Sequence, residues 1–244
     1  MTECNVTHLP GEIIPPGDQK PPLDSDHNLR YQASTGAFIS LQTSTRPDLS
    51  FSVLQLLRHM NTPTKGHFSA VKRTLRYLKG TTGLFITYQR GHFKLRGYLD
   101  AAYSSDEKTS KSMGGYISFL GNAALTWSSH RQSMVAKSSK ECELVSLIEA
   151  TDEAKYLATF LTELGHDPRP VPIMEYNKGT ADLAQHGAFS RRTKHITVCV
   201  RYMHDQVQAH EVQIIRVPTH GQVADGFTKY LRSTAFPRFQ TDIL

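Results

Sequence analysis

Apolar and polar positions alternate with period two over residues 95–100, which puts Leu95, Gly97 and Leu99 on one face of a strand and Arg96, Tyr98 and Asp100 on the other. The polar run 104–112 then predicts a loop, 113–120 a second strand, Gly121-Asn122 a turn and 123–128 a third strand. Together they predict a three-strand meander whose first strand ends in a carboxylate, Asp100. Helical spacing takes over on either side. Phe68, Val71, Leu75 and Leu78 recur at helical intervals between Pro63-Thr64 and a stop at Gly80. Leu144, Leu147, Ile148, Ala154, Leu157, Phe160, Leu161 and Leu164 define a long helix over 139–164, stopped by Gly165. Ser138 and Glu141 stand in capping-box spacing at its start, which gives Glu141 a structural task and leaves Glu143 without one. Residues 172–176 predict a short strand, 177–186 a helix, 196–208 a helix, 212–217 a strand stopped by Pro218, and a final helix starts near Gln222. Three strands, a long helix, a strand, helices, a strand and a helix imply an α/β chain with a mixed sheet and helices on its faces.

Before the meander the pattern is weaker. Residues 1–30, rich in Pro, Gly and Asp, read as an extended or disordered leader. From 31 to 60 the chain turns apolar, and Thr45-Arg46-Pro47-Asp48 places a break between two helices.

Charge changes this picture. Lys and Arg total 28 against 22 Asp and Glu, and the excess is clustered. No acidic residue occurs between Asp48 and Asp100, a stretch that carries Lys72, Arg73, Arg76 and Lys79 among Tyr77, Tyr88, His67 and His92. Solvated helix faces usually mix signs, so this single-sign stretch points to a phosphate backbone. Arg191, Arg192 and Lys194 form a second basic cluster. Cys4, Cys142 and Cys199 lack metal-ligand spacing and read as reduced thiols. The apolar runs are short for a membrane span and the N-terminus has no signal pattern, so an intracellular chain, cytoplasmic or nuclear and not secreted, is expected.

Five words in order carry a resemblance: Gly97-Tyr98-Leu99-Asp100-Ala101-Ala102-Tyr103, Ser110-Lys111-Ser112-Met113-Gly114-Gly115-Tyr116, Ser138-Ser139-Lys140-Glu141-Cys142-Glu143, Arg192-Thr193-Lys194-His195-Ile196 and Val223-Ala224-Asp225-Gly226-Phe227-Thr228-Lys229. They resemble Copia-type retrotransposon Pol polyproteins, and Thr45 to Leu49 with Val71 to Gly80 resemble the segment joining reverse transcriptase to ribonuclease H there. A Tyr-Val-Asp-Asp polymerase motif is absent, so the resemblance is to a C-terminal portion without polymerase activity. It implies a ribonuclease H-like fold over 91–235, a basic helical connection segment over 31–90 and a tail over 236–244. It also implies an RNA/DNA hybrid as partner and hydrolysis of the RNA strand at four carboxylates holding two Mg²⁺ ions, and it leaves open a reverse transcriptase acting in trans. Asp100, Glu143 and Asp225 match three of these positions. At the fourth the family has Asp before Asn, whereas Tyr176 precedes Asn177 here. A phenol with a pKa near ~10 is a poor ligand for a hard cation, so impaired catalysis is expected. Strand alternation points the adjacent Glu175 to the other face, and Asp182 on the next helix is a weaker substitute. His220 matches a loop histidine that aids product release, although exposure alone also accounts for such a residue. Trp127 is expected in the core. The alternative from another class is a non-catalytic nucleic-acid-binding module, or an inert remnant of a decayed element.

Overall fold

The computed structural model describes residues 4–13, 21–90, 93–187 and 196–244. The chain divides into two compact units, one of Met1–Thr87 with Lys229–Leu244, the other Tyr88–Thr228.

The second unit is built on a five-stranded sheet in the order β3-β2-β1-β4-β5, with β1 Leu95–Ala102, β2 Met113–Leu120, β3 Ala123–Arg131, β4 Val171–Glu175 and β5 Val212–Arg216. β1, β2 and β3 pair antiparallel as the predicted meander, whereas β4 joins β1 and β5 joins β4 in parallel. The parallel pairs need crossovers, and helices α4 (Ser139–Glu163), α5 (Lys178–His186) and α6 (Thr197–Gln208) supply them. The core lies between sheet and helices: Leu95 and Leu99 of β1 and Val171 and Ile173 of β4 meet Leu144, Leu147, Ala154 and Leu161 of α4 and Val200 and Met203 of α6. This is the ribonuclease H-like order of elements that the resemblance implies.

Three details differ from the sequence reading. The segment expected as a final helix from Gln222 is a 3-10 turn over Val223–Phe227, because Ala224 and Phe227 bury against the sheet and hold the segment to one short turn. Phe160 and Leu164, counted with the apolar face of α4, are 51% and 60% exposed, since the buried stripe runs through Ala154, Leu157, Ala158 and Leu161 instead. Trp127 is half-buried on β3, opposite Ile117 of β2.

The first unit is helical, with α1 Ser25–Ser44, α2 Ser50–Leu57, α3 Lys65–Gly80 and α7 Phe236–Ile243. The helix expected from Tyr31 begins earlier, because the Asp24 carboxylate accepts from the His27 backbone N–H at 2.9 Å and caps it there. The expected tail is the helix α7, which buries Phe236, Phe239 and Ile243. The stripe of α3 is rotated from the predicted one: His67, Ala70, Val71, Thr74 and Tyr77 are buried, and Phe68, Leu75 and Leu78 are only half so. Polar tips explain the rotation, since each finds a buried partner. The Thr74 hydroxyl donates to the Pro10 carbonyl at 2.9 Å, and the Tyr77 hydroxyl donates to Asp48. Around Asp48 the Thr-Arg-Pro-Asp word also shows its purpose. Arg46 donates to both oxygens of Asp48, at 2.9 and 2.7 Å, and to the Thr81 hydroxyl at 2.9 Å, with Arg46 and Asp48 6% and 4% exposed.

Candidate functional site

Asp100 occupies the position on β1 opposite Gly115 of β2. Glycine is required there, since a Cβ on Gly115 would lie 2.5 Å from Cβ of Phe227 and 3.2 Å from Cγ2 of Thr228. The close approach brings the 223–228 segment against the strand, and the Ser129 hydroxyl, donating to the Phe227 carbonyl, fastens it. The Thr228 hydroxyl then donates to Oδ2 of the buried Asp100. The same hydroxyl lies 3.3 Å from the carbonyl oxygen of Asp225, so Thr228 ties the turn carrying the half-buried Asp225 to the Asp100 strand.

Parallel pairing aligns Tyr98 with Met174. Continuing that register two residues sets Tyr176 beside Asp100 on one face, and Glu175 beside Leu99 on the other. Helix α4 starts over this strand end. The Ser138 hydroxyl accepts from the Glu141 N–H at 3.2 Å, and Oε2 of Glu141 accepts from the Lys137 N–H at 2.5 Å. The cap therefore closes one residue upstream of the expected box, and Glu141 has the structural task assigned to it. Glu143, buried at 1% exposure, accepts through Oε1 a hydrogen bond from the Tyr176 hydroxyl.

The electrostatics follow from this packing. Burial first, then the hydrogen bond to Glu143 and the charges of Glu143, Asp100 and Glu175, push the Tyr176 phenol well above its ordinary range, so it stays neutral. Glu175 is fully buried. Burial, opposed by the Asn177 N–H at 2.6 Å and reinforced by Asp100, raises its carboxyl to about 8. Burial and the Glu143 charge likewise raise the Cys142 thiol to about 12. Asn177 caps α5, its Oδ1 accepting from the Gly179 N–H at 3.0 Å, so the Asn of the Tyr176-Asn177 word is structural.

Asp100, Glu143 and Tyr176 thus meet at one strand end, with the Asp225 turn packed beside them. Among the described residues this arrangement forms no two-cation site. Mg²⁺ requires oxygen ligands in near-octahedral array, whereas Glu143 and Asp100 each take a hydroxyl donor. Among the described residues no group of three or more His, Cys, Asp or Glu side chains is placed to hold a metal ion. Asp182 is exposed on α5 and His220 is exposed in a 3-10 turn over Thr219–Gly221. Thr228 was not singled out from the sequence, although its place three residues after Asp225 was legible.

In the helical unit, Lys72, Arg76 and Lys79 are exposed on α3 and Arg73 is half-buried. Lys72 lies over the Phe68 ring at 4.9 Å, and Arg73 pairs with Glu12 at 2.9 Å. Arg191, Arg192 and Lys194 lie outside the described residues.

No protein-family model matches the chain. It is 38% identical over 201 residues to the retrovirus-related Pol polyprotein from transposon RE1 of Arabidopsis thaliana, an alignment covering 82% of this chain and 14% of that one. The chain belongs to the Copia-type retrovirus-related Pol polyproteins. The corresponding polyprotein from transposon TNT 1-94 of Nicotiana tabacum is 31% identical over 206 residues, covering 84% of this chain and 16% of the relative. The chain therefore spans a small part of the length of these Pol relatives. A structure of LC11-RNase H1 in complex with RNA/DNA hybrid aligns at 12% identity over 55% of this chain and 93% of that one, with a TM-score of 0.44. Among the described residues no helix is long and apolar enough to cross a membrane.

Proposed function

We propose that the chain is the ribonuclease H-like part of a Copia-type Pol polyprotein, that it binds RNA/DNA hybrid, and that its carboxylate site is closed to two-cation hydrolysis. The observation that carries this reading is the Tyr176 hydroxyl donating to Glu143 beside Asp100. A phenol there supplies a neutral donor where a cation site needs an anionic acceptor, and its ring occupies space that hydrated ions would need. Asp100, Glu143 and Asp225 are the residues assigned to that site, with Tyr176 as the degenerate position. The basic helix α3 supplies the sequence-independent attraction to phosphates, in a connection segment preceding the sheet domain. In this reading any polymerisation belongs to a reverse transcriptase acting in trans.

The test is Mg²⁺-dependent cleavage of the RNA strand of a hybrid duplex by the parent chain and by Tyr176→Asp, with Mg²⁺ binding measured by calorimetry. The parent should bind hybrid and cleave it little, and the variant should gain Mg²⁺ affinity and hydrolysis together. Full cleavage by the parent, or a folded variant that gains neither, would refute closure of the site by Tyr176.

A further inference from the structure

The segment 4–13 does not trail away from the helical unit but lies along α3, and two of its contacts engage basic side chains. The Cys4 carbonyl accepts from Nζ of Lys79 at 3.0 Å. Glu12 pairs with Arg73 at 2.9 Å. Between them the Pro10 carbonyl accepts from the Thr74 hydroxyl at 2.9 Å, and the Thr7 hydroxyl is 3.4 Å from the Arg73 carbonyl. Pro10 and Gly11 are buried. A Cβ on Gly11 would lie 2.5 Å from the Tyr230 ring and 2.6 Å from the Ser52 hydroxyl, so the segment is seated in a fitted channel. At the far end of α3, Val6 packs on Gly80, its Cβ 3.1 Å from where a Gly80 Cβ would stand.

We propose that residues 4–13 form a strap that competes with a nucleic-acid backbone for Arg73 and Lys79. Lys72 and Arg76 stay exposed with the strap in place, so they give a weak, constitutive contact. Arg73 and Lys79 join them when a phosphate displaces Glu12 and the Cys4 carbonyl. Phosphate can do so because the Glu12 carboxylate and the Cys4 carbonyl are among the groups it has to replace, and both contacts lie at the surface, where exchange costs little. This inference rests on the nucleic-acid-binding reading above and adds to it a control over which cations take part.

The test uses the full chain and a fluorescently labelled RNA/DNA hybrid, titrated at several salt concentrations. Glu12→Gln with Thr74→Val releases the strap. Val6→Cys with Gly80→Cys, in a Cys4→Ser background, locks it when oxidised, because that Cβ spacing is only a few tenths of an ångström below the disulfide range of about 3.5–4.5 Å. The locked form should show a slope of log affinity against log salt shallower by about two than the released form, since each phosphate contact contributes about 0.9. At low salt it should bind about tenfold or more weakly, and reduction of the disulfide should restore parent binding. Equal affinities and slopes for locked, parent and released chains would overturn the strap while leaving hybrid binding intact. Absence of hybrid binding in every form, with circular dichroism showing them folded, would overturn both.

Discussion

Replacing Glu175 by Gln tests the burial argument at the strand end most directly. The side chain is fully buried, one oxygen accepts the Asn177 N–H at 2.6 Å, and Oε2 has no hydrogen-bond partner among the described residues. Its carboxyl titrates at about 8 in the fold against 4.5 in the open chain. Between those two values the folded chain keeps a proton that the unfolded chain has released, so stability falls as pH rises from about 4.5 to about 8. At ~1.4 kcal/mol per pH unit the full fall is about 5 kcal/mol. That is an upper limit, because water admitted at the strand end relieves part of the charge. Gln keeps the acceptor for Asn177 and cannot ionise, and like the protonated acid it buries a donor without a partner. Parent and variant should therefore agree within about 1 kcal/mol at pH 5, and the variant should lead by several kcal/mol at pH 9.

Urea unfolding followed by Trp127 fluorescence is the assay, since the chain has one Trp and it lies in the same unit as Glu175. Titrations common to both proteins cancel in the difference. Curves of stability against pH that stay parallel from pH 5 to pH 9 would show that Glu175 ionises at its ordinary value and that the strand end is wetter than its packing implies.

Other expectations follow from single contacts. Asp48→Asn should cost about 3–5 kcal/mol of helical-unit stability, because it leaves Arg46 buried without its bidentate partner; a thermal midpoint within a degree of the parent would contradict this. Glu141→Gln should be mild, since the amide oxygen still accepts from Lys137, whereas Glu143→Gln should remove whatever hydrolysis the Tyr176→Asp variant gains; equal effects of the two on that activity would reassign the carboxylate. Lys72→Ala with Arg76→Ala should lower the salt slope of hybrid binding by about two without altering the unfolding midpoint, as both side chains are exposed; an unchanged slope removes this face of α3 from the interface.

Much of the sheet domain was legible because β1 alternates up to Leu99 and polar or glycine-containing turns bound the strands that follow it. Leu95, Gly97 and Leu99 set the register of β1, and with it the face of Asp100 and Tyr176. The helical unit was harder, since burial there follows polar partners that hydropathy cannot see: Thr74 and Tyr77 are turned inward by Pro10 and Asp48, neither of which is near them in sequence. The leader shows the same blindness. Its Pro and Gly content suggested an extended or disordered segment, whereas residues 4–13 are held by long-range contacts to α3 and the last residues of the expected leader belong to α1. Thr228 escaped notice for a related reason. A hydroxyl adjoining a candidate carboxylate has no pattern of its own, and its value arises only when Gly115 lets the two segments close.

The strand end poses a general electrostatic problem that this chain solves residue by residue. Burying Asp100, Glu143 and Glu175 together sets anionic groups against each other in a medium that screens them poorly, and each also loses water. Asp100 receives the Thr228 hydroxyl, Glu143 receives the Tyr176 hydroxyl, and Glu175 keeps a proton to about pH 8. All three remedies come from groups covalently part of the chain, so none requires a dissociable ion. A cation site works by the opposite strategy, leaving its carboxylates uncompensated until the ion arrives. The two strategies compete at one locus, because every hydroxyl that quiets a carboxylate takes one of its lone-pair sites and weakens the negative field a cation would meet. On the function proposed above, Tyr176 is the residue that tips this competition, since it donates to Glu143 and, by continuation of the β1–β4 register, stands beside Asp100.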